Sequence, residues 1–244
     1  MSKRKTLLLD HPDGPWSGFL REFLEETYAV LDCFHDGGQA RNAFQRGGYD
    51  LTLFNPSFLS LAWGQALEAR RMTHPGFRVF AVGPSVSGQN FRFDASFPEP
   101  LPMEDFQRQI LKCVVLPEKI RVLIVDDEPE IGVMVRDFLE RRVNPSFEVS
   151  HEPDGLAGLE RLSKDLPDVL ILDVKMPRMD GREVYRETRK RGLEVPTIIF
   201  FDAISGEEMT EIRKYGRPAV VEKGAPQSAL PELMELVKKM AFFA

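Results

Sequence analysis

The sequence has few cysteines and no long apolar run. The first shortage argues against a cysteine-based metal or redox site, and the second argues against a membrane-spanning protein. It contains two cysteines in 244 residues, and Cys33 and Cys113 have neither metal-site nor redox-pair spacing. Reduced thiols of a cytoplasmic protein are the simplest interpretation. No stretch approaches the ~20 apolar residues of a membrane span, and Leu7–Leu9 is far too short for a signal peptide. We therefore expect a soluble, cytoplasmic protein with no membrane partner.

A basic stripe is absent as well. The formal net charge is −6, whereas a surface that binds nucleic acid would carry clustered Lys and Arg. No nucleic-acid partner is therefore expected. With 43% hydrophobic and 29% charged residues, the composition is that of an ordinary globular protein, and the length suits two domains of common size.

Two pairs of short segments recur at an almost constant offset. Segment 6–10 is similar to segment 122–127, and segment 50–55 is similar to segment 168–173. The offset is 116 residues from Asp10 to Asp126 and 118 from Asn55 to Asp173. A near-constant offset at two separate segments predicts a duplicated domain.

Both halves alternate short apolar runs with amphipathic stretches, which is typical of strands that alternate with helices. In the second half the predicted strands are 121–126, 147–151, 169–173, 197–201 and 219–222, and the helices lie near 131–138, 155–162, 181–191, 206–215 and 229–242. In the first half the predicted strands are 5–10, 28–34, 50–55, 77–83 and 93–97, and the helices are 16–27, 37–46, 59–72 and 103–115, with a weak fourth helix near 84–90. The apolar runs are continuous rather than alternating, as in buried parallel sheets. The predicted class is α/β: two doubly wound, five-stranded parallel-sheet domains in tandem, over 1–116 and 119–244.

Acidic residues and one lysine stand at the ends of predicted strands in the second half. Asp126 and Asp127 end the first strand, Asp173 ends the third, and Lys223 follows the fifth. Ligands of a doubly wound sheet bind at the carboxyl ends of its strands, so we expect these side chains to meet. Converging carboxylates repel one another unless a cation lies among them, and Mg²⁺ prefers oxygen ligands. Such a site lets one carboxylate attack phosphorus while the cations neutralise the phosphoryl oxygens.

Each of these residues taken singly has an ordinary structural explanation. An Asp-Asp pair at a strand end more often starts a loop or caps a helix, and a lone lysine is nearly always solvated. The combination of Asp126, Asp127, Asp173 and Lys223 at the matching strand ends favours a site.

The motifs of the second half resemble the receiver domain of two-component response regulators. The resemblance rests on Asp126-Asp127-Glu128-Pro129, Ile171-Leu172-Asp173-Val174-Lys175-Met176-Pro177, Met179-Asp180-Gly181 and Val221-Glu222-Lys223. It implies a flavodoxin-like, CheY-like fold in which Asp173 accepts a phosphoryl group from a sensor histidine kinase or a histidine phosphotransfer protein. It also implies that Mg²⁺ is bound by Asp126, Asp127, Asp173 and the backbone carbonyl of Lys175, while Lys223 contacts the phosphoryl oxygens.

The second half departs from the receiver pattern at its switch positions. Receivers carry Ser or Thr at the end of the fourth strand, where this chain has Asp202, or Phe201 if the register shifts by one. The aromatic residue usual on the fifth strand is replaced by Val220. An aspartate beside a dianionic phosphoryl group is unfavourable unless it faces away or binds metal. We therefore expect phosphoryl acceptance with an altered mode of signal transmission.

The first half is expected to be a degenerate pseudo-receiver. Asp10 and His11 replace the acidic pair, Asn55 replaces the acceptor, and Glu99 stands where the lysine belongs. An amide oxygen is a poor nucleophile, and Glu99 reverses the charge that would meet phosphate. His11 has no second ligand beside it, so a surface histidine is the simpler interpretation. A fold without its chemistry most often persists as a binding surface.

Together these features predict a response regulator without a separate output domain, acting as a phosphorylation-controlled adaptor for a downstream protein partner. We expect no enzyme activity beyond self-directed phosphoryl transfer, because the Asp-x-Asp arrangement of aspartate-nucleophile phosphatases is missing at 126–128. The alternative is a constitutive scaffold of two pseudo-receivers whose partner binding does not depend on Asp173. A homodimer through the face of the fourth helix, fifth strand and fifth helix stays open.

Overall fold

The computed structural model of the protein describes residues 4–27, 29–84 and 91–243. The chain divides into two compact units, made mainly of Met1–Val115 and Leu116–Phe242, which we call the first and second unit. None of the helices formed by the described residues has the length and apolarity that crossing a bilayer requires.

The first unit is built on a five-stranded parallel sheet with the strand order β2-β1-β3-β4-β5. Its strands are β1 (Lys5–Leu9), β2 (Val30–Phe34), β3 (Leu51–Phe54), β4 (Arg78–Val82) and β5 (Ala95–Phe97). Its helices are α1 (Trp16–Leu24), α2 (Gly37–Arg46), α3 (Leu61–Thr73) and α4 (Met103–Cys113), with a single 3-10 turn at Pro56–Phe58.

The second unit repeats this order as β7-β6-β8-β9-β10, again with parallel strands. The strands are β6 (Lys119–Val125), β7 (Ser146–Glu152), β8 (Val169–Leu172), β9 (Thr197–Phe201) and β10 (Ala219–Glu222). The helices are α5 (Pro129–Glu140), α6 (Gly155–Lys164), α7 (Gly181–Lys190), α8 (Gly206–Arg213) and α9 (Pro226–Phe243).

Helices cover both faces of the second sheet, and this explains why its central strands β8 and β9 are almost continuously apolar. Ile120, Val122 and Ile124 of β6 pack in one cluster with residues of α5 and α9. Leu123 and Val125 pack in another cluster, with residues of α7 and α8. Successive side chains of a strand point to opposite faces, so a strand covered on both sides needs apolar residues at every position.

The predicted fold class is confirmed, since both sheets are parallel and five-stranded. The described strands and helices begin and end within about three residues of the predicted bounds. The helix predicted over 16–27 ends at Leu24, because the hydroxyl and the N–H of Thr27 both donate to the Leu24 carbonyl and close a turn there. Residues 85–90, where the weak fourth helix is expected, lie outside the described residues.

Candidate functional site

Backbone hydrogen bonds bring three side chains to the carboxyl edge of the second sheet. Asp126 follows β6 directly, Asp173 follows β8 and Lys223 follows β10. The N–H of each still donates to a carbonyl of the neighbouring strand, over 3.1, 2.9 and 2.6 Å respectively. Each residue is therefore the last one fixed by the sheet, and its side chain leaves the sheet at the edge where ligands bind in this class of fold.

Lys223 bridges two buried carboxylates. Its Nζ lies 2.8 Å from Oδ1 of Asp173 and 2.9 Å from Oδ2 of Asp126, and the three side chains are 3%, 6% and 1% exposed. The second oxygen of Asp173 accepts the N–H of Lys175 at 2.6 Å, and Oδ1 of Asp126 accepts the N–H of Glu128 at 3.0 Å. Buried charges are tolerated when they are paired and hydrogen-bonded, as most of these atoms are.

Burial and ion pairing have opposite effects on the pKa values of this group. Desolvation raises the pKa of Asp126 above its ordinary value, although Lys223 and the N–H of Glu128 act to lower it. Burial alone would lower the pKa of Lys223, but the carboxylates of Asp173 and Asp126 outweigh it, and that pKa lies above its ordinary value. Lys223 is therefore a permanent cation at neutral pH.

One oxygen of the group is incompletely satisfied. Oδ2 of Asp126 is buried and lies 2.9 Å from the Lys223 ammonium, but this contact does not have regular hydrogen-bond geometry, and no other group among the described residues donates to the atom. Over residues 4–27, 29–84 and 91–243, no three His, Cys, Asp or Glu side chains form a ready-made metal cluster. Asp126 and Asp173 meet at the Lys223 ammonium, while Asp127 is exposed. The donors are nevertheless all oxygen atoms, the type that Mg²⁺ takes, and Oδ2 of Asp126 has capacity for a ligand bond.

A pocket of about 250 Å³ opens beside Asp173. Its walls are Asp127, Glu128, Asp173, Val174, Lys175, Phe201, Asp202 and Ala203. A water molecule takes up roughly 30 Å³ of liquid, so the pocket has room for a group the size of phosphate together with water. Asp173 is the buried carboxylate that reaches this space.

Asp202 stands at the rim of this pocket. Its side chain is 70% exposed, and its Oδ2 lies 3.9 Å from Nζ of Lys223. Glu128 is also largely exposed and approaches the same nitrogen to 3.6 Å, so four carboxylates surround one ammonium. Phe201 lines the pocket as well and is half-buried. Val220 is an exposed residue of β10 and does not line the pocket.

Sequence reasoning missed one histidine in each unit. A ring N–H of His151 donates to the backbone carbonyl of Asp126 at 2.8 Å, and a ring N–H of His35 donates to that of Asp10 at 2.9 Å. The two histidines are 116 positions apart, the same offset that separates the two aspartates. Extending the repeat search to the second strand of each half would have found them.

The loop after Asp173 is held by an ion pair that the sequence did not indicate. Arg178 has a left-handed backbone conformation, with φ of 68°, and its guanidinium contacts the buried carboxylate of Asp154. Asp154 also accepts the N–H groups of Leu156 and Ala157 at the start of α6. One carboxylate thereby caps a helix and anchors the loop that carries Lys175.

The first unit arranges the equivalent positions differently. Asn55 Nδ2 donates to Oδ1 of Asp10 at 2.8 Å, and both residues are buried. The Ser57 hydroxyl donates to the Asn55 amide oxygen at 2.8 Å and lies 2.9 Å from Nε2 of His11. A hydrogen bond from a neutral amide thus takes the place of an ion pair.

Strand register assigns Glu99 to the position that Lys223 has in the second unit. In each unit, strand pairing is followed from the residue before Asn55 or Asp173, across the fourth strand (β4 or β9), to its partner on the fifth strand (β5 or β10). Glu99 and Lys223 each lie three residues beyond that partner. Glu99 is exposed. The first unit therefore has an acid where the second unit has its ammonium.

Comparison with known proteins gives a family match within the second unit. Residues 122–235 match the family described as the response regulator receiver domain. The response regulator MprA of Mycobacterium ulcerans (strain Agy99) is 32% identical over 123 residues, which are 50% of each chain. MprA of Mycobacterium tuberculosis (strain ATCC 25177 / H37Ra) is 33% identical over 125 residues, again 50% of each chain. The chain thus spans about half the length of these curated relatives.

Solved structures give partial matches as well. The chemotaxis protein CheY4 of Vibrio cholerae is 29% identical, covers 48% of this chain and 97% of its own, and has a TM-score of 0.43. A protein of the two-component response regulator/GGDEF type is 16% identical, covers 96% of this chain and 98% of its own, and has a TM-score of 0.44. The fold assignment rests on the sheet order and register described above.

Proposed function

We propose that this chain, whose second unit belongs to the response regulator receiver domain family of two-component signalling, accepts a phosphoryl group on Asp173. The observation that carries the proposal is the environment of that side chain. Asp173 is buried yet lines the 250 Å³ pocket, and an ammonium lies 2.8 Å from one of its oxygens. A carboxylate held this way is oriented towards an incoming phosphorus atom by contacts on both of its oxygens.

In the transfer step an oxygen of Asp173 forms a bond to phosphorus, and the bond from phosphorus to the donor's leaving group breaks. The leaving group departs with that electron pair. Lys223 stabilises the negative charge on the transferred oxygens, and the N–H of Lys175 orients the carboxylate. We propose that Asp126, Asp127 and the Lys175 carbonyl hold Mg²⁺, with Asp173 completing the set. When bound there, the ion neutralises charge on the phosphoryl oxygens.

The partners follow from this chemistry. The donor is a phosphohistidine of a sensor kinase or of a phosphotransfer protein, and the chain serves as a cytoplasmic adaptor for a downstream protein. The first unit, with Asn55 and Glu99 at the acceptor and lysine positions, contributes a binding surface in this proposal. The only catalysis we propose is self-directed, and DNA binding and membrane attachment are not part of the proposal.

Dimerisation through the α8, β10 and α9 face is a further proposal, and sedimentation of the full chain tests it.

Acetyl phosphate labelling tests the central step. The full chain is incubated with Mg²⁺ and acetyl phosphate and analysed by intact mass spectrometry. We expect the mass of one phosphoryl group to be added, and Asp173→Asn to abolish the addition. Asp137→Asn is the matched control, because Asp137 is an exposed carboxylate of α5. Labelling that survives in Asp173→Asn, or is absent from a folded wild-type chain that also releases no phosphate, would falsify the proposal.

A second candidate function is a constitutive scaffold, and the observation in its favour is Asp202. Its carboxylate lies 3.9 Å from Lys223, where the resemblance to receivers leads us to expect a hydroxyl at Asp202, or at Phe201 if the register shifts by one. A scaffold binds its partner equally well with Asp173 or Asn at position 173, whereas an adaptor binds differently after acetyl phosphate treatment. Pull-down of co-purifying proteins by wild type and Asp173→Asn, each with and without acetyl phosphate, separates the two functions.

A further inference from the structure

We propose that Asp202 is a catalytic residue that removes the phosphoryl group from Asp173 by activating water, so that the phosphorylated state is short-lived. The inference rests on the proposed function, since it needs a phosphoryl group on Asp173. It goes further because it gives Asp202 a role in the reaction, whereas its negative charge would otherwise only repel the phosphoryl group.

The order of the strands puts Asp202 next to the reacting group. The acceptor Asp173 follows β8, which lies between β6 and β9 in the sheet. Asp127 and Glu128 follow β6 on one side, and Asp202 follows β9 on the other. All of them line one pocket. A phosphoryl group on Asp173 therefore has Asp127 and Glu128 on one flank and the Asp202 carboxylate on the other.

Lys223 limits the distance between the two carboxylates. Its Nζ is 2.8 Å from Oδ1 of Asp173 and 3.9 Å from Oδ2 of Asp202. Both acids therefore lie around the same nitrogen, and a phosphoryl group on Asp173 extends into the pocket whose rim Asp202 forms. Asp202 is 70% exposed, so water reaches its carboxylate. In our proposal this carboxylate holds a water at the solvent side of the pocket and accepts its proton as the water attacks phosphorus.

The hydrolytic step balances with water as the only co-reactant. The oxygen of a water molecule forms a bond to phosphorus while Asp202 accepts one of its protons. The bond from phosphorus to the Asp173 oxygen breaks, and its electron pair returns to the Asp173 carboxylate, which Lys223 stabilises. The products are inorganic phosphate and the original carboxylate, and Asp202 then releases its proton to solvent.

Glu128 supplies a control of the same charge. Its carboxylate lies 3.6 Å from Nζ of Lys223 and is 56% exposed, so Glu128→Gln removes one negative charge at nearly the same distance from the ammonium as Asp202→Asn does. Simple repulsion of phosphate predicts the same effect from both substitutions. Proton abstraction by Asp202 predicts an effect from Asp202→Asn alone.

The experiment follows the loss of label from the full-length protein. Wild type, Asp202→Asn, Asp202→Glu and Glu128→Gln are labelled with radioactive acetyl phosphate and Mg²⁺, and the donor is then removed. General base catalysis typically contributes at least 10²-fold, so we expect Asp202→Asn to lose its label on the order of 100-fold more slowly than wild type. Asp202→Glu should keep most of the rate. The decay of wild type should slow in D₂O, whereas that of Asp202→Asn should not.

Each other result has a defined meaning. Equal slowing in Asp202→Asn and Glu128→Gln, or decay of Asp202→Asn at the wild-type rate, overturns the role of Asp202 and leaves phosphoryl acceptance intact. If wild type holds too little label to follow, phosphate release that depends on Asp173 reports the same rate. If neither label nor Asp173-dependent phosphate release is found in wild type or Asp202→Asn, phosphoryl acceptance itself fails, and this inference fails with it.

Discussion

Asp126 is a residue whose charge the second unit buries at a cost. Burial raises its pKa even though Lys223 and the N–H of Glu128 act in the other direction. A raised pKa in the folded state means that folding favours the protonated carboxyl. Stability therefore falls as pH rises from the unfolded value near 3.8 through the folded pKa, and it stays lower above that pH.

This reasoning predicts the effect of Asp126→Asn in the absence of divalent cations. Replacing a buried charge by a neutral isostere removes its desolvation cost, so we expect the free energy of unfolding of the second unit to rise by about 1 kcal/mol at pH 7. The gain should vanish as pH falls below 4. The measurement is urea unfolding followed by circular dichroism. Tryptophan emission identifies the transition of the first unit, because both tryptophans, Trp16 and Trp63, lie there.

Asp137→Asn provides the comparison for this experiment. Asp137 is exposed, so its neutralisation should change stability by less than ~0.5 kcal/mol at every pH. A loss of stability in Asp126→Asn at pH 7 would mean that its ion pair with Lys223 outweighs its desolvation, and would contradict the prediction.

Among the elements, the loop between β8 and α7 determines the geometry around Asp173. Gly181 donates its N–H to the Val174 carbonyl at 3.0 Å, and a Cβ at position 181 would overlap the backbone carbonyl of Asp173. The first residue of α7 is therefore glycine because the backbone passes directly over the acceptor. The ion pair of Arg178 with Asp154 also holds this loop.

Gly181→Ala should consequently destabilise the second unit. The atoms nearest to the added Cβ are all backbone atoms of Asp173 and Val174, and no flexible side chain can move aside, so we expect a loss of about 3 kcal/mol. Gly206→Ala is the matched control, since Gly206 also begins a helix and a Cβ there meets no atom within 4 Å. Denaturant unfolding of both variants measures the difference. Equal stability of the two would show that the loop rearranges at low cost.

The elements themselves were predictable because each has a local signal. Buried strands are continuous apolar runs, and α6, α7 and α8 begin after Asp154, Asp180 and Ser205, whose side chains cap their first turns. The site was predictable only in outline. Strand order brings Asp126 and Asp173 to one edge, but no local pattern indicates that the ammonium of Lys223 bridges them.

At the scale of the whole molecule, one fold occurs twice with two ways of burying an acid. The second unit buries Asp126 and Asp173 around the ammonium of Lys223. The first unit buries Asp10 against the amide of Asn55 and has no ammonium at the equivalent position. An acceptor carboxylate and the lysine are therefore physically linked, because a second carboxylate beside the buried first one, without the ammonium, leaves an unbalanced charge in the interior.

Reversing one change in the first unit should expose this link. Asn55→Asp puts a second carboxylate beside buried Asp10 with no cation, so we expect a loss of about 3 kcal/mol at pH 7. Glu99→Lys alone should be within ~0.5 kcal/mol of wild type, because Glu99 is exposed. Tryptophan fluorescence during urea unfolding reports this unit.

The double variant decides whether the duplicated positions are equivalent. If position 99 can deliver an ammonium to the acid pair as Lys223 does, Asn55→Asp with Glu99→Lys should recover at least ~1 kcal/mol relative to Asn55→Asp alone, which is a coupling energy typical of residues in contact. Glu22→Lys makes the same charge change at another exposed site of the first unit and should recover much less. Equal recovery by both lysines would assign the effect to net charge and would separate position 99 from the role of Lys223.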